Sequence, residues 1–264
     1  MPHHAIIPNI ETKLINLREG NLTRLTAFFK ISIVTCIFIL TTGCASNQIH
    51  HAAHNDPLES YNRVMYSIND TIDSAVLKPV SQGYNFIIPP LINKGISNFF
   101  SNIDDINVVL NDLLQFKLMQ ALHDTSRFAI NSTIGLIGVV DVASNYGFKK
   151  HNEDFGQTLG FWGVSTGPYI VLPLFGPSDL RDTIGLIGDN IYTNPIDYLD
   201  DIAARKEFIL TNTINSRAGL LSAEKIVDEA AFDEYTFVKE AYLQRRQNLV
   251  YDGDPPEKFD VFEE

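Results

Sequence analysis

Cysteine is nearly absent from this 264-residue chain, which contains only Cys36 and Cys44. Cys36 lies inside an apolar stretch near the N-terminus, so a chain cleaved after that stretch keeps Cys44 alone. A lone cysteine can form no disulfide within one chain and no cysteine-rich metal site. We therefore expect side-chain packing, rather than covalent or metal cross-links, to hold the mature fold.

Positive charge is also scarce. The chain has 20 Lys and Arg residues against 32 Asp and Glu residues, which gives a formal net charge of -12. Proteins that bind a phosphate backbone need an excess of positive charge on the binding surface. We therefore predict no nucleic-acid partner.

Nucleotide-binding and catalytic signatures are missing or incomplete. The chain contains neither G-x-x-x-x-G-K nor G-x-G-x-x-G, so any nucleotide-driven step must occur in another protein. The segment Gly163-Val-Ser165-Thr-Gly167 matches the serine-hydrolase pattern G-x-S-x-G, which requires a helix directly after the serine and a later histidine. Pro168 and Pro173 prevent that helix, and no histidine follows His151. This match therefore does not indicate a nucleophile.

Metal and carboxylate chemistry also find little support in the sequence. His123 and His151 are the only histidines in the part expected to fold, which is too few for a histidine and cysteine cluster. Most Asp and Glu residues fit helix starts or solvated faces, although a hydrolase with paired carboxylates stays open as an alternative. We predict a protein that is not an enzyme and that has no catalytic residue, cofactor or metal.

Residues 1–43 are built like an export signal. Ten uncharged, mostly apolar residues, Ile31 to Leu40, follow Lys30. A membrane-spanning helix needs about 20 such residues, whereas the core of a signal peptide needs roughly 7 to 15. The run Leu40-Thr-Thr-Gly-Cys44 resembles a bacterial lipobox, which predicts that Cys44 is acylated and becomes the mature N-terminus. The alternative is an ordinary signal peptide in which the cysteine is incidental.

The mature chain divides into three parts by composition. Residues 44–55 are polar and include His50, His51 and His54, and we interpret them as a lipidated, solvated tether rather than as a metal site. Residues 56–250 carry the helical patterns of the folded domain. Residues 251–264 are acidic and contain proline, and we predict a mobile tail there.

Apolar spacings of three and four residues predict an all-α domain. The first helix starts at Asp56-Pro57-Leu58-Glu59 and is expected to end before Pro79. Gly185 and Gly188 lie in a predicted helix and would allow a neighbouring backbone to approach closely. The other predicted helices start at Pro89-Pro90, Asp104-Asp105, Leu118 and Ser178, and run from about Ala203 to Leu221 and from about Glu234 to Leu249.

The stretch from Asp154 to Ser178 is the main exception to the helical pattern. No charged residue occurs between Phe155 and Pro177, yet five glycines and three prolines interrupt the segment. Glycine and proline disfavour both helices and central strands. We predict irregular apolar backbone here, which needs protein or a water-lined cavity around it to satisfy its polar groups.

Several short motifs together resemble the MlaA/VacJ lipoprotein family over nearly the whole mature chain. The residues that carry the resemblance are Asp56-Pro-Leu-Glu-Ser-Tyr-Asn-Arg63, Met65-Tyr66, Lys78-Pro79-Val80, Gly95-Ile-Ser-Asn98-Phe99, Arg127-Phe128, Asp141-Val-Ala143, Asp154-Phe-Gly-Gln-Thr-Leu-Gly160, Gly167-Pro-Tyr169, Leu172-Pro173, Leu180-Arg181-Asp182 and Glu240-Ala-Tyr242.

The resemblance implies a ring-shaped, membrane-embedded helical lipoprotein with an irregular apolar hairpin and an amphipathic channel. It would be anchored in the inner leaflet of the outer membrane, on the periplasmic face, beside a trimeric outer-membrane porin. Such proteins extract mislocalised phospholipids from the outer leaflet and pass them to a soluble periplasmic carrier similar to MlaC. The alternative is a scaffold lipoprotein that braces porins without moving lipid.

The resemblance also assigns candidate residues to the lipid path. The segment that contains Gly163, Ser165, Gly167, Pro168 and Tyr169 is similar to the family's channel hairpin, although Ser165 replaces a glycine found in relatives. Ser67 and Ile68 stand where relatives have an Asn-Phe pair near the lipid path, which makes them gating candidates. The alternatives are a passive packed loop for the hairpin segment and a core position for Ile68.

Overall fold

Helices account for most of the computed structural model, which describes residues 56–192 and 195–256. The predicted signal peptide, Cys44 and the tether lie outside these residues, as does the tail beyond residue 256. The α-helices are α1 (Glu59–Ile72), α2 (Lys78–Ile87), α3 (Pro90–Leu114), α4 (Leu118–Thr133), α5 (Phe155–Phe161), α6 (Leu180–Tyr192), α7 (Ile202–Ala230) and α8 (Glu234–Val250).

The first helix does not end before Pro79, contrary to the prediction. A π-helical turn, Asp73–Leu77, joins α1 directly to α2, and Pro79 occupies the first turn of α2. The backbone N–H of Lys78 donates to the carbonyl of Asp73, five residues earlier. The wider π-helical turn changes the hydrogen-bond register just before Pro79, so that Pro79 lies in the first turn of α2. At a helix start the missing N–H of a proline destabilises the helix little, because that N–H would have no partner within the helix.

Helix α3 is a single helix of 25 residues, so the helix start predicted at Asp104-Asp105 is wrong. Asp104 lies on the exposed side, whereas Asp105 is fully buried. The Nζ of Lys150 lies 2.9 Å from Asp104 Oδ2 and 2.6 Å from Asp105 Oδ1. These acidic residues therefore serve a tertiary contact and do not cap a helix.

The stretch from Asp154 to Ser178 contains more regular structure than predicted. Helix α5 begins after Asp154, whose side chain accepts a hydrogen bond of 2.8 Å from the N–H of Gln157. Two antiparallel strands follow, β1 (Tyr169–Leu172) and β2 (Gly176–Asp179), with Tyr169 opposite Asp179. The all-α class therefore needs a correction, because a small β-hairpin stands beside the helices. After Asp154, residues 162–168 and the hairpin turn at residues 173–175 are the parts of this stretch that lie outside helices and strands.

Close packing against α5 explains why α6 contains Gly185 and Gly188. A Cβ atom added at Gly185 of α6 would lie 2.3 Å from the backbone N of Gly156, and one added at Gly188 would lie 2.8 Å from the ring of Phe155. The predicted close approach at Gly185 and Gly188 is therefore confirmed. The first turn of α6 is capped by Asp179, whose Oδ1 accepts from the N–H of Asp182 at 2.8 Å, rather than by Ser178 as predicted.

Polar residues dominate the interior of the described part of the chain. Eighteen buried residues are polar or charged, and nine are hydrophobic. Large apolar side chains instead lie on the surface, including Phe86 at 91% exposure, Leu91 at 80% and Met119 at 79%. This reverses the usual arrangement of a soluble domain. Within the described residues, no helix combines the length and apolar character that a membrane span requires.

Candidate functional site

An apolar cavity of about 710 Å³ lies between α3, α7 and the connection that follows α4. Its volume is within the range of small-molecule sites, roughly 300 to 1,000 Å³. One carboxylate, that of Glu207, stands among otherwise mainly apolar side chains. The lining residues are Leu91, Ile92, Gly95, Ile96, Phe99 and Phe100 of α3, Val139 and Val140 of the connection, and Ala204, Glu207, Phe208 and Thr211 of α7.

Phe100 separates this apolar cavity from two cavities whose walls contain more polar side chains. A cavity of about 440 Å³ includes Phe100, Asp104, Asn107 and Asn212 in its wall. A second cavity of about 410 Å³ is lined by Phe100, Asp104, Asn212 and Lys150. The Phe100 side chain is 9% exposed and packs edge to face against Phe99, with ring centroids 5.4 Å apart. One buried aromatic ring therefore marks the border between apolar and polar space.

A fourth cavity continues the series on the polar side. It has a volume of about 210 Å³ and shares Phe175 and Asp189 with the 440 Å³ cavity. Phe175 follows β1 in the turn of the β-hairpin. Three cavities thus adjoin one another in the order apolar, mixed and polar, with aromatic side chains at the shared walls. Such a gradient suits a ligand that has an apolar part and a polar part.

Two asparagines of α1 hold the hairpin beside these cavities. The side chain of Asn62 donates to the carbonyl of Tyr169 at 3.0 Å and accepts from the N–H of Val171 at 2.8 Å. Asn69 likewise donates to the carbonyl of Leu172 at 2.9 Å and accepts from the N–H of Leu174 at 2.8 Å. Each amide side chain therefore pairs with the backbone as a neighbouring strand would, and fixes the outer edge of β1.

A half-buried ion network holds the start of α5 against α6 and α8. Arg246 lies 2.5 Å and 2.9 Å from the two carboxylate oxygens of Asp154 and 2.5 Å from Asp182 Oδ2. The hydroxyl of Tyr242 donates to Asp182 at 2.8 Å. Burial acts against ionisation of Asp154, but the bonds from Arg246 outweigh it and keep the pKa of that carboxyl below its ordinary value.

The predicted channel residues lie on the surface just before the hairpin. Gly163, Ser165, Gly167 and Pro168 are exposed in the connection between α5 and β1, whereas Tyr169 is buried at the start of β1. Gly163 has φ +89° and Gly167 has φ +71°, values that favour glycine. None of the five residues lines the four cavities described above. Their role at a lipid path stays a prediction.

The two gating candidates are also exposed. Ser67 and Ile68 lie on α1 between the asparagines that bind β1, and Ile68 is 42% exposed. Ile68 is therefore not a buried core residue. Neither side chain lines the four cavities, so their gating role likewise stays a prediction.

Sequence reasoning missed Phe100 and the buried carboxylates. Phe100 directly follows the Gly95 to Phe99 motif, but its spacing resembles that of any core aromatic residue. Asp105, Asp112, Asp124 and Asp179 are fully buried, although carboxylates were expected to be solvated. Asp105 and Asp124 have partners distant in sequence, Lys150 and His151, which a local pattern does not reveal. One of them, Asp124, brings together the two histidines of the folded part, which sequence reasoning had discounted as metal ligands.

Comparisons with known proteins agree with the resemblance seen in the motifs. The family model "MlaA lipoprotein" matches residues 54–249. The "Intermembrane phospholipid transport system lipoprotein MlaA" of Escherichia coli (strain K12) is 33% identical over 219 residues, which cover 81% of this chain and 86% of that protein. The protein of the same name from Haemophilus influenzae is 33% identical over 221 residues, covering 81% of this chain and 88% of that protein.

A solved structure shares the fold. It is described as "Structural basis for maintenance of bacterial outer membrane lipid asymmetry", has a TM-score of 0.66 and 32% sequence identity, and covers 75% of this chain and 100% of its own. The family match spans most of the chain and includes the helices and the hairpin that surround the cavities. The chain therefore belongs to the MlaA lipoprotein family.

Proposed function

We propose that this protein is an outer-membrane lipoprotein that extracts mislocalised phospholipids from the outer leaflet and passes them to a soluble periplasmic carrier. The observation that carries the proposal is the series of cavities, which changes across Phe100 from an apolar wall to walls that mix apolar with polar and charged side chains. A phospholipid has the same two parts, acyl chains and a charged headgroup. The names of the relatives, which place them in an intermembrane phospholipid transport system, support the proposal.

The apolar surface supports a position embedded in the inner, periplasm-facing leaflet of the outer membrane. Cys44 would be the lipid anchor. The protein exposes far more large apolar side chains than a soluble monomer usually does. Many of these side chains lie on α2, α3, α4 and the connection after α4. Burying apolar surface in acyl chains is favourable by about 25 cal/mol per Å². In a helical ring around a polar interior, the apolar side chains would contact lipid outside and the buried polar residues would contact one another inside. A trimeric porin is the neighbour that the family resemblance implies.

Moving a lipid requires a path and no covalent step, so we propose no enzymatic activity. The apolar cavity would receive acyl chains, and the polar cavities near Lys150 would receive the headgroup. Lys150 is only partly available, because Asp104 and Asp105 pair with it. That pairing would favour transient contact with a phosphate over tight retention, which suits a protein that must release its lipid.

Filling the apolar cavity tests the proposal. Ala204 lines the cavity, whereas the preceding Ala203 is exposed and does not line it. We expect Ala204→Trp to reduce the phospholipid that copurifies with the protein, measured by mass spectrometry. In cells that lack the gene, this variant should restore outer-membrane asymmetry poorly. Ala203→Trp is the matched control and should behave as the natural chain.

Two outcomes would count against the proposal. If Ala204→Trp restores low outer-leaflet phospholipid as well as Ala203→Trp does, the cavity is not on the lipid path. If purified protein in vesicles delivers no phospholipid to an acceptor carrier, the chain is better explained as a porin-bracing scaffold. Fractionation of Cys44→Ala tests the anchor separately, because that variant should leave the outer membrane.

A further inference from the structure

The two histidines of the described chain meet at one buried carboxylate. His123 is on α4, Asp124 follows it, and His151 lies in the connection that precedes α5. Nδ1 of His151 lies 2.8 Å from Asp124 Oδ2, and Nδ1 of His123 lies 3.6 Å from Asp124 Oδ1. One nitrogen of each imidazole and one oxygen of Asp124 lie within 4.8 Å of one another. The three donors converge from two separate parts of the chain.

The contacts within the described residues leave this cluster incompletely satisfied. His151 can donate one hydrogen bond to Asp124, but Nδ1 of His123 is buried and has no hydrogen-bond partner there. The ring of His123 packs against Phe148, with centroids 4.9 Å apart, and against His151, at 5.1 Å. A buried polar atom without a partner is costly unless it has another function. Nδ1 of His123 faces the carboxylate of Asp124, which His151 also contacts.

We propose that His123, Asp124 and His151 bind a first-row divalent transition metal ion, with Zn²⁺ as the representative. Two imidazole nitrogens and one carboxylate oxygen are a donor set that such ions accept, whereas Mg²⁺ and Ca²⁺ prefer oxygen donors alone. Tetrahedral Zn²⁺ with bonds of about 2.0 to 2.1 Å separates its ligand atoms by about 3.4 Å. The ligand atoms lie within 4.8 Å of one another, so the imidazoles must close the widest gap by at most about 1.4 Å.

The surroundings allow that adjustment. The side chain of His123 is 29% exposed and that of His151 is 38% exposed, so both rings have room to rotate, while Asp124 is fully buried and fixed. The exposed side also gives an ion an entry path and leaves a coordination position for water. Asp124 then acts as the rigid ligand, and the histidines close around it.

The ion would link α4 to the connection between α4 and α5. On either side of His151, polar contacts already attach this connection to neighbouring helices: Lys150 binds Asp105 of α3, and Glu153 accepts from Gln115 at 2.8 Å. Between these two, a metal ion would replace the hydrogen bond from His151 to Asp124 with coordination bonds and would join His123 to the same attachment. We therefore expect bound metal to stabilise the segment that leads into α5 and the β-hairpin.

Metal titration of the full mature protein in detergent tests the inference. The protein is stripped with a chelator and titrated with Co²⁺, whose visible absorption reports nitrogen coordination, and then with Zn²⁺ as competitor. The tether carries His50, His51 and His54, so a variant with all three replaced by alanine serves as the reference. We expect this reference variant to bind one Co²⁺ ion per chain in a saturable manner. Zn²⁺ should raise the Tm of the same variant.

Loss of one ligand should strongly weaken Co²⁺ binding. In the tether-substituted background, His151→Ala and His123→Ala should weaken Co²⁺ binding by at least about 100-fold, because even the outer partners of a metal ligand contribute about 10- to 100-fold. Circular dichroism should show the helical content of both variants unchanged. Binding that disappears with the tether histidines, or that survives both single substitutions, would overturn the inference and leave His151 and Asp124 as an ordinary hydrogen-bonded pair.

Discussion

The contact between α5 and α6 at Gly185 offers a direct test of how this fold is packed. In Gly185→Ala, the new Cβ would lie 2.3 Å from the backbone N and 2.6 Å from the Cα of Gly156. Both atoms belong to the backbone of α5, so no side chain can rotate away. The two helices must separate, and α5 carries the residues that lead into the β-hairpin.

The expected loss of stability follows from two opposing effects. Overpacking a tightly packed site costs typically about 1 to 3 kcal/mol, and a clash with backbone belongs at the upper end. Alanine in place of glycine within a helix gains up to about 1 kcal/mol. The net change should be a loss of about 2 kcal/mol in the free energy of unfolding.

Unfolding by urea in detergent measures this loss. Trp162, the only tryptophan of the chain, directly follows α5, and its indole N–H donates to the carbonyl of Leu114 at 3.1 Å, so its fluorescence reports on this region. Gly219→Ala is the matched control, because Gly219 lies within α7 and has no atom within 4 Å of an added Cβ. Gly219→Ala should stabilise the protein by about 0.5 to 1 kcal/mol. If Gly185→Ala also stabilises, the close packing inferred here is wrong.

Three further substitutions test the polar interior, each by urea unfolding. Arg246→Met should cost about 3 to 5 kcal/mol, because it leaves the carboxylates of Asp154 and Asp182 without their main cation; an unchanged midpoint would refute this. Asn62→Ala should cost about 2 to 3 kcal/mol, because two buried backbone groups of β1 lose their partner; Asn62→Asp should recover none of this loss, because it would place a buried carboxylate against the Asp56 carboxylate and the Tyr169 carbonyl, and a variant as stable as the natural chain would contradict this. Asp141 is half-buried, and burial raises its pKa, but hydrogen bonds from neighbouring side chains outweigh this and lower the pKa to about 2. Ionised Asp141 therefore adds about 2 kcal/mol to the free energy of unfolding above pH 4, and this contribution is lost as the pH falls from about 4 to 2. Asp141→Asn should remove that part of the pH dependence of stability. An acid-unfolding transition that the substitution leaves unchanged would contradict the prediction.

Local sequence signals predicted the parts of the fold that depend on neighbours in sequence. Apolar spacing located α4 and α8, and Pro89-Pro90 marked the start of α3. The prediction failed where a distant partner changes the local preference. Asp105 resembles a helix cap, but Lys150 satisfies its carboxylate within the interior of α3. Pro79 resembles a helix end, but the π-helical turn before it lets the helix continue.

The candidate site was less predictable than the fold. Glycine and proline suggested irregular backbone throughout the stretch from Asp154 to Ser178, yet the side chains of Asn62 and Asn69, about 100 residues earlier, pair with β1 and make a strand possible. The apolar cavity is formed mainly by α3 and α7, which are far apart in the sequence and show no motif that marks them as partners. Tertiary pairing, which periodicity does not encode, therefore determines the site.

The polar interior and the apolar surface have one common explanation under the proposed function. Between helices that are surrounded by acyl chains, the hydrophobic effect supplies no net attraction, because lipid solvates an apolar face as well as a neighbouring helix does. Helix association must then depend on close packing and on polar contacts. Both are present here: Gly185 lets the backbones of α5 and α6 meet, and Arg246 joins the start of α5 to α6 from α8. The same polar contacts that order the helices leave polar space beside Phe100, so the arrangement that stabilises the fold in lipid also forms the part of the path that a phospholipid headgroup would occupy.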